Sequence, residues 1–275
     1  MPSFIRRFFK DPLIRAYFRF RIDGTAAPYR VRWRSRPYCP LLILGHMRSG
    51  SSLLVHLLTS NPEILGYGET HITYESPADF KRLLHKVYAH QHDYRMGQTY
   101  VFDKLLHDQK LANDSLLQEP LTRAIFLLRE PSRSLASMLD LKPHWRAQEA
   151  LDYYVNRLAT LERYAAILGP ERGVLVEYEQ LLQQSTAVFD LLQRFLGTQA
   201  GFSEQYQVTS TTGMRGIGDS SDQIKAGRIV RQARTLERAA EITPELREQA
   251  HRCYEQCRET LQHHCQFLAI APQAP

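Results

Sequence analysis

The chain has 275 residues, 43% of them hydrophobic, which suits one α/β domain with a sizeable core over residues 1–275 rather than two independent ones. Lysine and arginine outnumber aspartate and glutamate by 35 to 29, and the sequence pI near 9.2 points to a polyanionic partner such as nucleotide, nucleic acid, sulfated glycan or membrane surface. The four cysteines, Cys39, Cys253, Cys257 and Cys265, show neither a zinc spacing nor a disulfide framework, so a reducing, cytoplasmic setting is the default.

In chain order, the first 22 residues carry an arginine or lysine every few positions, so neither a signal peptide nor a membrane span is read there. A basic arm packed on the domain is expected, with Pro12 weakening any continuous helix. The alternative lays the segment on an anionic membrane, a peripheral contact with Phe4, Phe8, Phe9 and Tyr17 inserted and Arg6, Arg7 and Lys10 on headgroups. Residues 29 to 34 (YRVRWR) alternate apolar and basic, which predicts a charge-protected edge strand, so that residues 1–36 form arm and edge strand. Nothing in the chain resembles a nucleic-acid recognition motif, and no nucleic acid is expected as a partner.

Residues 41 to 45 (LLILG) predict a buried strand, followed by a helix from Ser51 to Ser60 that Asn61-Pro62 stops. Ser76-Pro77-Ala78-Asp79 reads as a capping box opening a helix to about His92, with Phe80, Leu83, Leu84 and Val87 on its apolar face. Short strands follow at 100–102 and 124–128, the second ending in Arg129-Glu130-Pro131, where a new helix can begin. A helix over 147–168, a strand over 173–176 and a helix over 185–196 precede a glycine- and serine-rich loop from Thr198 to about Arg228. Thr243-Pro244 caps the last helix, where Cys253, Cys257, His264 and Cys265 are read as packing and surface rather than as a metal site. Alternation of apolar runs with helices predicts a parallel sheet.

The turn Gly45-His46-Met47-Arg48-Ser49-Gly50-Ser51-Ser52 follows a strand and opens a helix, so its amides and the positive helix end can cradle an anion. Gly45, Gly50 and Ser52 fall at Walker A positions, yet Ser51 stands where a nucleoside-triphosphate motif needs lysine. A donor with a 5′-phosphosulfate has no third phosphate for that lysine to hold. The rival is a magnesium-dependent P-loop kinase, for which Asp103 in Val101-Phe102-Asp103 offers a Walker-B-like carboxylate.

The run Arg48-Ser49-Gly50-Ser51-Ser52-Leu53 resembles the phosphosulfate-binding loop of the sulfotransferases that use 3′-phosphoadenosine-5′-phosphosulfate (PAPS). The run from Leu128 to Ser137 is similar to that family's 3′-phosphate motif, which implies Arg129 and Ser137 on the 3′-phosphate. Asn61 to Thr70 resembles the protein-tyrosine sulfotransferase branch, implying Glu69 as the base, and other branches that employ histidine leave His46 and His71 as alternatives. Chemically, a positioned carboxylate makes an acceptor hydroxyl a better nucleophile, and Gly66 and Gly68 let the backbone before Glu69 approach closely. Lys104 resembles the family lysine that neutralises the leaving group. Tyr178, in a short motif after the strand at 173–176, is either nucleotide-side or a packed aromatic. Arg215 and Gly216 resemble, in part, a segment that closes on the 3′-phosphate.

The resemblance thus implies a P-loop-like sulfotransferase fold of three layers with a central parallel sheet. It also implies transfer from PAPS as co-substrate to a hydroxyl-bearing acceptor, with no metal required. A non-catalytic binder of sulfated glycan or anionic lipid is the third class, and it leaves Glu69 without a role.

Overall fold

A computed structural model describes residues 3–208, 222–232 and 235–269. Five strands form one sheet: β1 (Cys39–Gly45), β2 (Ile64–Leu65), β3 (Tyr100–Leu105), β4 (Arg123–Leu128) and β5 (Gly173–Glu177). The helices are α1 (Ser3–Ile22), α2 (Ser51–Thr59), α3 (Asp79–Gln91), α4 (Pro131–Leu141), α5 (Ala147–Leu168), α6 (Tyr178–Gln183), α7 (Ser185–Leu196), α8 (Asp222–Lys225) and α9 (Pro244–His264). Strand order is β2-β3-β1-β4-β5 and every pairing is parallel. The architecture is therefore three-layer α/β with a central parallel sheet.

The sheet is apolar because both its faces are covered. Along β1, Leu41 and Ile43 pack with α2 and α7, whereas Leu42 and Leu44 enter the larger cluster with α3, α4, α5 and α9. β1 sits centrally, aligning Ile43 with Lys104 of β3 and Gly45 with Leu127 of β4. The chain builds outward from β1 first to β2 and β3, then to β4 and β5, so the crevice beyond the carboxyl end of β1 is a topological switch point.

Three local expectations are corrected. Residues 29–34 form turns rather than an edge strand, because Val31 and Tyr29 bury their side chains in the core instead of pairing along the sheet, and β2 occupies that edge. Pro12 does not break α1; the helix runs through it, held by Phe18 and Ile22, which are fully buried beside α3. Tyr17 donates its hydroxyl to the Tyr94 carbonyl at 2.8 Å, and the side chains at 4 to 10, on which the membrane alternative rests, lie outside the described residues. α3 also starts at Asp79 rather than Ser76, whose amide Asp79 accepts at 2.9 Å.

Candidate active site

The β1–α2 turn holds two residues of left-handed conformation, Arg48 at φ 64° and Gly50 at φ 89°. Gly50 is required on two grounds: its positive φ, and the Tyr178 ring, whose Cδ2 would lie 2.1 Å from an added Cβ. The Leu53 and Leu54 amides both donate to the Gly50 carbonyl, at 3.0 and 3.3 Å, which closes the first turn of α2. Ser51 and Ser52 open α2, and both residues line a cleft at its positive end. Ser49, expected among the ligands, does not line the cleft. Its amide donates to the His46 carbonyl at 3.2 Å, and its hydroxyl is buried without a partner among the described residues.

Arg129 leaves the end of β4 and Ser137 lies two turns into α4, and the two converge on Arg48. Arg129 Nη1 donates to the Arg48 carbonyl at 2.9 Å, while Arg48 Nε donates to Ser137 Oγ at 2.7 Å. The Arg129 guanidinium stacks 4.4 Å from the centre of the Tyr178 ring, and burial pulls its pKa below the ordinary value. Arg129 Nε is buried without a partner among the described residues, a donor spare for an anion. Arg215 and Gly216 lie outside the described residues.

Across the cleft, Lys104 Nζ stands 3.2 Å from Glu69 Oε1. The backbone on either side of Glu69 is pinned to β3: the Lys104 amide donates to the Gly68 carbonyl at 3.2 Å, and the Thr70 amide donates to Asp103 Oδ1 at 2.9 Å. Asp103 is fully buried and also accepts from the Tyr74 hydroxyl, the Thr70 hydroxyl and the Lys104 amide, while burial raises its pKa. The Walker-B-like reading of Asp103 is thereby corrected, since its oxygens are engaged by Thr70, Tyr74 and the Lys104 amide and Asp103 does not line the cleft.

Neither histidine alternative reaches the site. His46 is fully buried, bonded through Nδ1 to the Met47 carbonyl at 2.8 Å, and burial pushes its pKa down to about 3. His71 is exposed outside the cleft. The histidine that does line the cleft beside Lys104 and Glu69 is His107, which sequence reasoning missed; burial lowers its pKa against the pull of Glu69.

Arg157, also missed, is fully buried on α5 and joins the ends of two strands. It donates to the Gly45 carbonyl of β1 at 2.8 Å, to the Leu105 carbonyl of β3 at 2.7 Å and to Asp108 at 2.6 Å. Four residues earlier, Tyr153 accepts the Met47 amide at 2.9 Å and donates to the Leu106 carbonyl at 2.6 Å. One helix thus registers the β1–α2 turn against the segment bearing Lys104 and His107.

The cleft has a volume of about 590 Å³ and gathers Arg48, Gly50, Ser51, Ser52, Leu53, Glu69, Lys104, Arg129, Ser137 and Tyr178 along its wall. Five arginines (48, 129, 133, 228 and 231) and two lysines (104 and 142) face two carboxylates, Glu69 and Glu179, so the cleft focuses a positive field on an anionic occupant. Among the described residues, no three His, Cys, Asp or Glu side chains are grouped to hold a metal ion.

No family model and no curated protein matches the sequence. Among solved structures, the sulfotransferase domain from the curacin biosynthetic pathway superposes with a TM-score of 0.54 at 18% identity, covering 82% of this chain and 99% of that domain. Mouse sulfotransferase SULT7A1 complexed with PAP gives a TM-score of 0.52 at 11% identity over 90% of this chain and 92% of the mouse chain. The chain has the sulfotransferase fold.

Proposed function

We propose that this chain, built on the sulfotransferase fold, transfers a sulfuryl group from PAPS to an acceptor hydroxyl. The observation that carries the reading is the Glu69–Lys104 pair, 3.2 Å apart, standing across the cleft from a phosphate turn that lacks the nucleotide-triphosphate lysine at Ser51. The mouse sulfotransferase of like fold is complexed with PAP, which supports the choice of donor.

The residues fit such a donor. The Ser51 and Ser52 amides at the head of α2 suit the phosphosulfate, and the unpartnered Arg129 Nε with Ser137 suits the 3′-phosphate. Bound there, PAPS supplies an electrophilic sulfuryl group on a bisphosphate leaving group. Glu69, held by the pinned backbone at 68 and 70, takes the proton of the acceptor oxygen as that oxygen attacks. The Lys104 ammonium, buried beside it, offsets the negative charge that gathers on the departing oxygen. A kinase reading lacks its lysine and finds Asp103 already engaged. A purely binding role leaves Glu69, paired with the buried Lys104, unexplained.

The test is a thermal-shift comparison of 3′,5′-adenosine bisphosphate with ADP plus magnesium, since a ligand that binds only the native state raises the melting temperature. The bisphosphate is expected to stabilise the chain. Stabilisation by ADP with magnesium alone would replace this reading with the kinase.

A further inference from the structure

Away from the cleft, the face built by the second half of α1 and the turn at 29–34 leaves large apolar groups in water. Leu13 and Trp33 are 73% and 75% exposed and Phe20 is 45% exposed, while Phe18 and Ile22 on the opposite side of the helix are buried. Leu13, Ala16 and Phe20 fall on one helical stripe, and Trp33 extends it, its ring 5.2 Å from that of Phe20. The arrangement is held in place. Arg21 Nε donates to the Arg32 carbonyl at 2.9 Å and the Arg32 amide donates to the Arg21 carbonyl at 2.8 Å, which fastens the turn to α1. Trp33 sits at φ 63°, a conformation that bulky L residues avoid, and the strained backbone turns its ring outward.

Charge frames the stripe. Arg15, Arg19, Arg30, Arg32 and Arg36 are exposed, and the Arg32 guanidinium lies 4.5 Å from the centre of the Phe20 ring. Between residues 12 and 36 the one carboxylate is Asp23, which faces His85 at 2.9 Å. A second copy docking here would oppose arginines with arginines, whereas an anionic lipid surface accepts both the arginines at its headgroups and the aromatic rings at its interface.

We propose that this face seats the protein on an anionic membrane surface, with Trp33, Phe20 and Leu13 in the interface and the surrounding arginines on lipid phosphates. The seat is independent of the cleft and of the activity assigned to it. No helix among the described residues is long and apolar enough to cross a membrane, so the association is peripheral at this face.

The test uses the full chain with vesicles of phosphatidylserine in phosphatidylcholine and of phosphatidylcholine alone. The chain has two tryptophans, Trp33 and Trp145, so a Trp145→Phe background makes Trp33 emission the reporter. Co-sedimentation with the anionic vesicles, a blue shift of Trp33 and loss of both at high salt are expected. Trp33→Ser with Phe20→Ser should weaken partitioning roughly 10-fold or more. Arg15→Gln or Arg19→Gln should each cost roughly 5-fold, and none of these exposed positions should lower the melting temperature. Absence of vesicle binding, or wild-type binding by the Trp33→Ser/Phe20→Ser variant, overturns the proposal. So does a dimer in sedimentation equilibrium that these substitutions dissolve, which would give the face to a second copy.

Discussion

Glu69→Gln removes one charge from the cleft and almost no volume, so its consequences follow from a single pair. The Lys104 ammonium is 3% exposed and its partner oxygen is 3.2 Å away. At an effective dielectric near 20, that separation is worth about 5 kcal/mol of gross attraction. Glu69 is 21% exposed, so water and the glutamine oxygen recover part of it, and the net loss should be about 1–3 kcal/mol. In a chain of this size each kcal/mol moves the melting temperature by roughly 2–4 °C. Glu69→Gln should therefore melt measurably lower in calorimetry, and Lys104→Met added to it should restore part of the loss by removing the stranded charge. Turnover of the same Glu69→Gln protein should fall about 10²-fold to 10⁴-fold, with affinity for 3′,5′-adenosine bisphosphate nearly unchanged. Melting at the wild-type temperature with no coupling in the double-mutant cycle would refute the pair. Wild-type turnover would refute the base and pass that role to His107, the other proton acceptor beside Lys104.

Arg129→Ala should weaken 3′,5′-adenosine bisphosphate roughly 10-fold to 150-fold in calorimetric titration, and adenosine 5′-phosphosulfate less, because the guanidinium is assigned to the 3′-phosphate. Equal weakening of the two ligands would mean that the lost bond to the Arg48 carbonyl, not the 3′-phosphate, is what matters. Gly50→Ala should destabilise by about 1–3 kcal/mol and abolish bisphosphate binding, since the new methyl meets the Tyr178 ring at a positive φ; wild-type binding would contradict that packing. His46, neutral in the fold down to about pH 3, is protonated near 6.5 once unfolded, so the unfolded state binds more protons between those values. Stability should then fall as pH drops through that window, by up to about 1.4 kcal/mol per pH unit, and His46→Gln should flatten this limb of a denaturation series. An unchanged limb would contradict the burial of His46.

The strand, turn and helix around Gly50 were legible because an uninterrupted apolar run, two glycines and a serine-rich helix start each demand the same local structure. That Arg129 and Ser137 line one cleft was equally legible, because eight residues across one strand-to-helix turn leave little conformational choice. The burial of Ser49 was not legible, because motif spacing says which residues form a turn and not which of them face inward. Asp103 misled for a related reason: a carboxylate at a strand end looks the same in sequence whether it faces ligand or, as here, Thr70 and Tyr74 from elsewhere in the chain. Arg157 left a trace, a cation at a position between Tyr154 and Leu158 on the buried face of α5, but its acceptors are backbone carbonyls that no side-chain pattern announces. The alternation at 29–34 held for Tyr29 and Val31, which enter the core through turns, and failed at Trp33, which stands 75% exposed at a positive φ.

The bonds from Arg157 to Gly45 and Leu105 also order events in time. A nascent chain that ends before α5 already contains the turn at 45–50, Glu69, Lys104, Arg129 and Ser137, but not the guanidinium that draws the ends of β1 and β3 together. These contacts span 112 and 52 residues, so the loop entropy of closing them is met only once the sheet is assembled and α5 docks across it. The closing of the β1 and β3 ends around the turn at 45–50 therefore waits on the helix that follows α4, although every residue of that turn precedes it in the chain.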